Sequence, residues 1–290
     1  MDAVIEHVAN RRLTAEVHLD PTADVFLAQH RFKGRPMLPA VVSLEAIAQA
    51  AQLVAGPARR IAALRDVELL NGLRFHDDQP QTARVHARLH GNEVVADFTC
   101  DFRNRKGVLL LKDKPYMRAV AEFAPASAAV PDAGAPSNAP QEWMDCWYFE
   151  DGLVIYHGPV FRNLRQINVE GDEGWGRLVA SPLAELSGGR RPREGWIVPA
   201  ALLDACFFGC GSYLWIRFEG TVAIPAGIER LVLGRPPRPH EQCLLTMRFG
   251  GRDGQHGLFD CRVAGDDGRM IMQVDGYRNV IVAEEPAHVR

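Results

Sequence analysis

The sequence predicts an α+β protein that consists of two similar halves. Three observations support this prediction. Each half contains one long and almost entirely apolar helix, at residues 39–54 and at residues 199–216. Stretches with the alternating pattern of β-strands surround both helices. Between the halves lies a stretch, residues 125–141, that consists mainly of Ala, Pro, Ser and Gly.

The two helices are predicted from their ends as well as from their composition. Pro39 opens the first helix and Gly56 follows its last turn. Proline suits the first turn of a helix, and glycine commonly ends one. The second helix also begins at a proline, Pro199. A helix that is apolar on all sides is normally buried, so we expect a sheet to enclose each of them.

Strands are predicted on both sides of each helix, from β-branched residues, period-two alternation and intervening turn residues. In the first half they fall at residues 12–19, 62–73, 83–89, 93–103 and 116–123. In the second half they fall at residues 154–155, 166–169, 174–179, 227–233, 243–249, 257–263 and 270–282. An antiparallel sheet curled round one apolar helix is a hotdog fold, so the repeated pattern predicts a double hotdog.

The domain boundaries follow from the composition. We predict an N-terminal hotdog over residues 1–124, a linker over residues 125–141 and a C-terminal hotdog over residues 142–290. The linker contains almost no large apolar side chain, which is typical of segments that join domains. Each half has an ordinary domain size.

Charge and hydropathy exclude several classes of function. The net charge is −3 and Lys and Arg do not form a block, whereas a nucleic-acid-binding protein normally has a basic face. No stretch reaches the roughly 18 apolar residues of a membrane span. The N-terminus lacks the charged and apolar segments of a signal peptide. We therefore predict a cytoplasmic protein that binds neither nucleic acid nor membrane.

The six cysteines include no Cys-x2-Cys pair, which argues against a zinc site. Cys206 and Cys210 share one face of the second helix, within an apolar run. We expect them to be small buried hydrophobic residues rather than metal ligands.

The first candidate for chemistry is His30, in the pattern His30-x3-Gly34-x4-Pro39. A neutral imidazole is the natural base near pH 7. Glycine allows a tight turn or the close approach of a ligand, and proline fixes φ where the helix begins. A lone histidine before a helix is usually structural or solvated, but this glycine and proline favour a base at the mouth of a pocket.

Two acidic residues lie within the apolar helices. Asp204 is in the second helix, and Glu45 is in the first with Gln49 one turn later. A buried unpaired carboxylate is costly, so each should be paired, protonated or functional. Burial favours the neutral form, which would let Asp204 act as a general acid; the alternative is an exposed or capping Asp204. From the residues alone, both acids compete to be the partner of His30.

A third segment, residues 156–161 with the sequence YHGPVF, contains a turn signal between apolar residues. Its aromatic side chains either line a channel or pack in the core. The spacing alone favours packing.

Together these segments resemble the dehydratase domains of polyketide synthases. The pattern His30-x3-Gly34-x4-Pro39 matches a motif of that family, and residues 156–161 are similar to its Tyr-Gly-Pro-x-Phe motif with His157 as an extra residue. Residues 203–205 (LDA) resemble its Asp-x3-Gln/His motif, and residues 225–231 fit a later segment. The segments occur in the family's order across nearly the whole chain. Residues 39–49 are also similar to the discrete dehydratases of fatty acid synthesis.

The resemblance implies a double hotdog that eliminates water from a 3-hydroxyacyl thioester. His30 would remove the C2 proton and Asp204 would protonate the departing hydroxyl group. A backbone N–H near Gly158 or at a helix N-terminus would bind the thioester oxygen. The residues expected to contact the substrate are Gly34, Pro39, Tyr156, His157, Gly158, Pro159, Phe161 and Phe208.

The same resemblance indicates the partners. The substrate would be carried on the phosphopantetheine arm of an acyl carrier protein, and the other partners would be further domains of a polyketide synthase. Such domains often form homodimers, and no segment of this sequence decides that point. Neither a metal nor a redox cofactor is required.

The sequence departs from the family pattern at two positions. Phe208 lies four residues after Asp204, where the family has Gln or His to hold the acid. His157 is the second departure, and it either lines the tunnel or adjusts the turn. Glu45 matches the position of the acid in discrete dehydratases, where it acts across a dimer. We expect Asp204 to face His30, and Glu45 to lie in the opposite half-site.

Three alternatives stay open at this stage. The chain could be a dehydratase-like domain without elimination activity that shapes products or docks partners, and Phe208 leaves room for this. It could be a double-bond isomerase, which would use the same base. A hotdog thioesterase is less consistent with the sequence, because that chemistry does not need the His30 motif.

Overall fold

The structure is a computed structural model that describes residues 1–76, 78–104, 106–129, 140–149 and 155–284. Its elements in chain order are β1 (Ala3–Val8), β2 (Arg12–Leu19), α1 (Val25–Ala28), β3 (His30–Phe32), β4 (Arg35–Pro36), α2 (Ala40–Ala55), β5 (Arg59–Leu69), β6 (Gln81–His90), β7 (Glu93–Arg103), β8 (Leu109–Pro125), β9 (Met144–Asp145), β10 (Ile155–His157), a 3-10 turn (Pro159–Phe161), β11 (Leu164–Glu170), β12 (Glu173–Val179), α3 (Leu183–Ser187), α4 (Ala200–Arg217), β13 (Thr221–Leu233), β14 (Gln242–Asp253), β15 (His256–Gly265) and β16 (Met270–Glu284).

The N-terminal half is a curled antiparallel sheet in the order β1-β2-β6-β7-β8-β5. It encloses α2, which packs against β2, β5, β6, β7 and β8. Alanine fills much of this helix, and small side chains let the strands approach closely on several sides. Ile47, Ala48, Ala50 and Ala51 are fully buried. The helix therefore forms the centre of this half.

The C-terminal half repeats the plan with the order β13-β16-β15-β14-β12-β11-β9 around α4. This helix packs against β11, β12, β13 and β15. Its core is more aromatic than that of the first half, since Tyr213 and Tyr277 are fully buried and Phe207 stacks on Tyr277. Each half is a hotdog, and the predicted double hotdog is confirmed.

The two half-sheets join into one sheet through the antiparallel pair β5–β13. Leu64 pairs with Leu231, and Glu68 pairs with Gly227. The two helices also contact each other. This continuity fixes the position of α4 relative to α2, and therefore the position of any side chain that α4 directs toward the first half.

A second, three-stranded sheet, β10-β3-β4, also joins the halves. Its β10 comes from the C-terminal half and pairs with β3 so that His157 lies opposite His30. The β3–β4 connection is the pair Lys33-Gly34, with φ of 49° and 74°. Positive φ at both central residues is the geometry of a type I′ turn, which explains the glycine at position 34.

The predicted strands are present, but several differ in length. The strand predicted at residues 62–73 is β5, Arg59–Leu69, because the chain leaves the sheet before Asn71-Gly72. The strand predicted at residues 116–123 is β8, which extends back to Leu109 through Pro115. The strands β1, β3, β4 and β9 were not predicted, since all but β1 are too short to show periodicity.

Two predictions fall partly outside the described residues. The structure does not describe residues 130–139 of the predicted linker or residue 154 of a predicted strand. The boundaries of the halves therefore stay a prediction. Within the described ranges, no helix is both long enough and apolar enough to cross a membrane.

Candidate active site

His30 lies at the start of the β3–β4 hairpin, and its ring is held from two sides. Its Nδ1 is 2.7 Å from the carbonyl oxygen of Met37, and its ring meets that of Phe161 edge-on at 5.5 Å between centroids. A carbonyl oxygen accepts only, so Nδ1 carries the proton and Nε2 has a free electron pair. Burial lowers the pKa of His30 from 6.5 to about 4. The imidazole is therefore neutral at pH 7.

Asp204 lies near the start of α4, in the other half of the molecule, and is 6% exposed. One of its oxygens, Oδ2, is 3.4 Å from Nε2 of His157. One nitrogen of His30, one nitrogen of His157 and one oxygen of Asp204 all lie within 4.8 Å of one another. The two halves thus bring the predicted base and the predicted acid together.

His157 is the third polar member of this group. Period-two alternation along β10 directs it inward while Tyr156 takes the other face. Its ring is 5.4 Å from that of His30 and 5.0 Å from that of Phe208, both edge-on. Phe208 in turn stacks on Tyr148 at 4.5 Å. The group is therefore enclosed by aromatic rings, which keep its surroundings poor in water.

A cavity of about 380 Å³ opens onto these three side chains. Its walls are mostly apolar and come from both halves, including Met37, Tyr116, Trp147, Phe207, Phe208 and Trp215. Ligand pockets for small molecules commonly have this size and character. The arrangement can hold an apolar chain beside a base and an acid.

Eight residues were predicted to contact the substrate. Two of them, His157 and Phe208, lie in the cavity wall, and the other six do not. Gly34 forms the type I′ turn, and Pro39 precedes α2 and accepts hydrogen bonds from Val42 and Ser43. The other four have supporting positions, with Tyr156 beneath the Arg162 guanidinium, Gly158 and Pro159 in a turn, and Phe161 packed against His30.

The thioester oxygen was expected to bind a backbone N–H near Gly158 or at a helix N-terminus, and the N–H of Gly158 itself is already engaged. It donates to the carbonyl oxygen of Gln29 at 2.7 Å, and the N–H of Val160 donates to Oε1 of Gln29 at 2.9 Å. Gly158 is small for a packing reason, because a Cβ there would lie 2.6 Å from that of Gln29.

Comparison with known families agrees with this geometry. The family model described as polyketide synthase dehydratase N-terminal domain matches residues 124–287, and that described as polyketide synthase dehydratase domain matches residues 1–100. The chain belongs to the polyketide synthase dehydratase family. No curated protein matches the sequence.

Solved structures of polyketide synthase dehydratases have the same fold. The dehydratase domain from the CurF module of curacin polyketide synthase is similar with a TM-score of 0.73 and 14% identity over 97% of both chains. The dehydratase domain from the CurJ module is similar with a TM-score of 0.72 and 13% identity, over 97% of this chain and 96% of the other. The dehydratase domain of RzxB from Pseudomonas fluorescens is similar with a TM-score of 0.70 and 17% identity, over 96% of both chains.

In this dehydratase fold the other acid, Glu45, lies away from the cavity, in a second and nearly filled half-site of about 30 Å³. Its carboxylate accepts hydrogen bonds from the N–H groups of Ile197 and Val198 at 2.7 to 3.0 Å, and from Nε2 of Gln49 at 2.7 Å. Burial nevertheless raises the pKa of Glu45 to about 7, because desolvation outweighs these donors.

The sequence analysis did not identify two residues that position the site. Met37 acts through its carbonyl oxygen and Gln29 through both its carbonyl and its side chain. A backbone carbonyl has no signature in a sequence. Gln29 directly precedes His30, and a polar residue beside a candidate base was the available signal.

Proposed function

We propose that the chain is a 3-hydroxyacyl-[acyl carrier protein] dehydratase that acts in polyketide biosynthesis. One observation carries the proposal: His30 from one half and Asp204 from the other face a single apolar cavity. The products are a 2,3-enoyl thioester and water. The family assignment supports the reaction class, and the cavity supports an acyl substrate.

In the first part of the reaction, Nε2 of His30 takes the C2 proton of the substrate. The electron pair of that C–H bond forms the C2–C3 double bond. A base must be unprotonated to act, and the lowered pKa of His30 keeps it so at neutral pH. The bond from Nδ1 to Met37 holds the ring in the required tautomer.

In the second part, the C3–O bond breaks and the hydroxyl group leaves as water, with a proton from Asp204. Elimination to one face requires base and acid on the same side of the substrate, and the position of His30 and Asp204 in the wall of one cavity supports this requirement. The cycle closes when the proton on His30 passes to Asp204, and their separation of under 4.8 Å suits transfer through one water.

The thioester oxygen gains negative charge as the C2 proton leaves, so it needs donors. With Gly158 engaged, we assign this role to the N-terminus of α2. Ala40, its first residue, lines the cavity. The first N–H groups of a helix have no partner within the helix, and the helix dipole favours negative charge there.

The proposal includes the partners of this site. The acyl chain would arrive on the phosphopantetheine arm of an acyl carrier protein, and the other catalytic domains of a polyketide synthase would supply and consume it. No metal or redox cofactor enters the scheme. Two imidazoles and a carboxylate also form a donor set that transition metals accept, so the experiment includes a chelator.

The test is to incubate the chain with (3R)-3-hydroxyacyl thioesters of several lengths and to follow the loss of one water by mass spectrometry. We expect turnover by the wild type, with or without chelator, and none by His30→Ala or Asp204→Asn. A wild type that is inert on all substrates would support the silent domain. Migration of an existing double bond without loss of water would support an isomerase.

A further inference from the structure

His157 is held firmly at the centre of the candidate site. Its backbone pairs with His30 across the small sheet, and its carbonyl oxygen accepts a hydrogen bond of 2.8 Å from Nε of Arg162. The residue is 4% exposed, and its ring lies against that of Phe208. A buried histidine at such a place needs a polar partner, since an unpaired buried polar group is costly.

The partner that the geometry offers is Asp204. The distance from Nε2 of His157 to Oδ2 of Asp204 is 3.4 Å. Within the described ranges, neither Oδ2 of Asp204 nor Nδ1 of His157 has a hydrogen-bond partner. Hydrogen bonds among catalytic groups are often long before the substrate binds, and they tighten in its presence.

Two other side chains of the described residues near Asp204 do not supply a donor. Phe208 is one turn further along α4, on the same face as Asp204, and has no polar atom. The hydroxyl of Tyr148 donates to the carbonyl oxygen of Leu164 at 2.8 Å, so it is already engaged. His157 is therefore the nitrogen donor that the described residues place beside this carboxyl group.

We propose that His157 is a positioning residue that holds Asp204 in place and stabilises the carboxylate left after its proton is transferred. This inference rests on the proposed dehydratase function. The Nε2–H of His157 donates to Oδ2, which leaves the other oxygen of Asp204 to face the substrate hydroxyl. It thus replaces, from another strand, the donor that Phe208 cannot provide.

Three substitutions at position 157 separate this role from simple packing. His157→Phe keeps the ring without its donor, and we expect kcat to fall about 10- to 100-fold while KM changes little. Glutamine places an amide N–H near the position of Nε2, so His157→Gln should recover most of kcat. Asparagine places it near Nδ1, so His157→Asn should remain as slow as the phenylalanine variant.

A second substitution tests the replacement directly. In the His157→Phe background, Phe208→Gln restores a donor one helical turn from Asp204. We expect the double variant to be faster than His157→Phe alone. His90→Gln, on the exposed end of β6, is the matched control and should leave kcat unchanged. Thermal unfolding of each variant identifies any that fail to fold.

One readout does not depend on turnover. The ring ¹⁵N shifts of His157 report which nitrogen carries the proton, and we expect Nε2–H with a shift that changes in Asp204→Asn. Equal kcat for the Phe, Gln and Asn variants would overturn the inference, as would an Nδ1–H tautomer. An inert wild type with the expected ¹⁵N shifts would overturn the proposed reaction but leave the His157–Asp204 pair intact.

Discussion

His30 donates its Nδ1 proton to the carbonyl oxygen of Met37 over 2.7 Å. Both residues belong to the β3–β4 hairpin region, since the N–H of Met37 also donates to the carbonyl oxygen of His30. The base is thus held in its tautomer by its own local turn, and the acid comes from the other half of the chain. A local turn therefore positions the base, and the packing of the two halves brings the acid to it.

The lowered pKa of His30 predicts a pH dependence of stability. The unfolded chain takes up a proton below pH 6.5, and the folded chain does so only near pH 4. As the pH is lowered from 6.5 to 4, the free energy of unfolding should therefore decrease by about 3 kcal/mol in total. Urea unfolding of wild type and His30→Phe at several pH values gives the difference. A difference that is constant from pH 7 to pH 4 would contradict the prediction.

Glu45→Gln should affect stability and leave activity nearly intact. Glutamine cannot accept every bond that the carboxylate accepts from Gln49 and from the backbone just before α4, which costs about 1–3 kcal/mol. The folded pKa of Glu45 is raised to about 7, so its stabilising contribution is present below pH 4.5 and is lost as the pH rises through 7. This trend opposes that of His30 in the same pH range.

The measurements for Glu45→Gln are urea unfolding against pH and the rate of water loss. We expect a rate within about three-fold of wild type, whereas Asp204→Asn should lose at least about 100-fold. If the effects of the two variants were reversed, the acid would be Glu45 and the cavity assigned here would not be the active one.

Gly158→Ala should disturb the site without straining the backbone, because φ at this position is −77°. The new Cβ would lie within 2.9 Å of three side-chain atoms of Gln29, the closest at 2.6 Å. Overpacking of this kind typically costs about 1–3 kcal/mol. We also expect a clear fall in kcat, since the clash separates β10 from β3 and so His157 from His30.

The control for Gly158 is Gly189→Ala, where a Cβ meets no atom of the described residues within 4 Å. Melting temperature and kcat should be unchanged in that variant. If Gly158→Ala and Gly189→Ala had the same melting temperature and the same kcat, the side chain of Gln29 would be able to move aside without loss of stability, and the prediction would be wrong.

Gly211→Leu should narrow the cavity and so discriminate by chain length. Gly211 lines the cavity two helical turns after Asp204, and its added Cβ would meet just one described atom, at 4.0 Å. If the thioester lies at α2 and C3 at Asp204, the rest of the acyl chain extends along α4 toward Gly211. Long substrates should then lose kcat/KM, while short substrates should keep theirs.

Gly211→Ala serves as the control for helix propensity, which by itself favours both variants by up to about 1 kcal/mol. A loss of kcat/KM that is equal for short and long substrates would place the entrance, rather than the acyl end, at Gly211.

The sequence predicts the parts of this fold that repeat regularly. Two apolar helices and the alternating strands around them define the double hotdog, and the spacing around His30 indicates the base. A strand was predicted at residues 154–155, at the start of β10, but its pairing with β3 and β4 was not, because strands of two or three residues have no periodicity. That sheet places His157 opposite His30, so His157 was predicted near the substrate but its place beside the base depended on a pairing that only the folded chain reveals.

The residues around the cavity show a second limit of sequence reasoning. Gly34, Gly158 and Phe161 belong to the matched motifs, yet they shape the turns and the packing behind the cavity wall. The wall itself includes Trp147 and Phe149, which precede β10, and Trp215, which lies near the end of α4 and is distant from them in the sequence. A motif marks the residues that build a site without separating those that face the ligand.

The continuous sheet through β5 and β13 has a consequence for how this molecule could diverge. In a symmetric homodimer every substitution is present twice, so both pockets must change together. Here one polypeptide carries both halves, and each can vary alone. The half-site at Glu45 is lined by Arg191 and Trp196, and the acid accepts a hydrogen bond from the backbone just before α4. The second half-site thus has a structural use in this chain, because its acid holds the backbone that leads into the helix carrying Asp204.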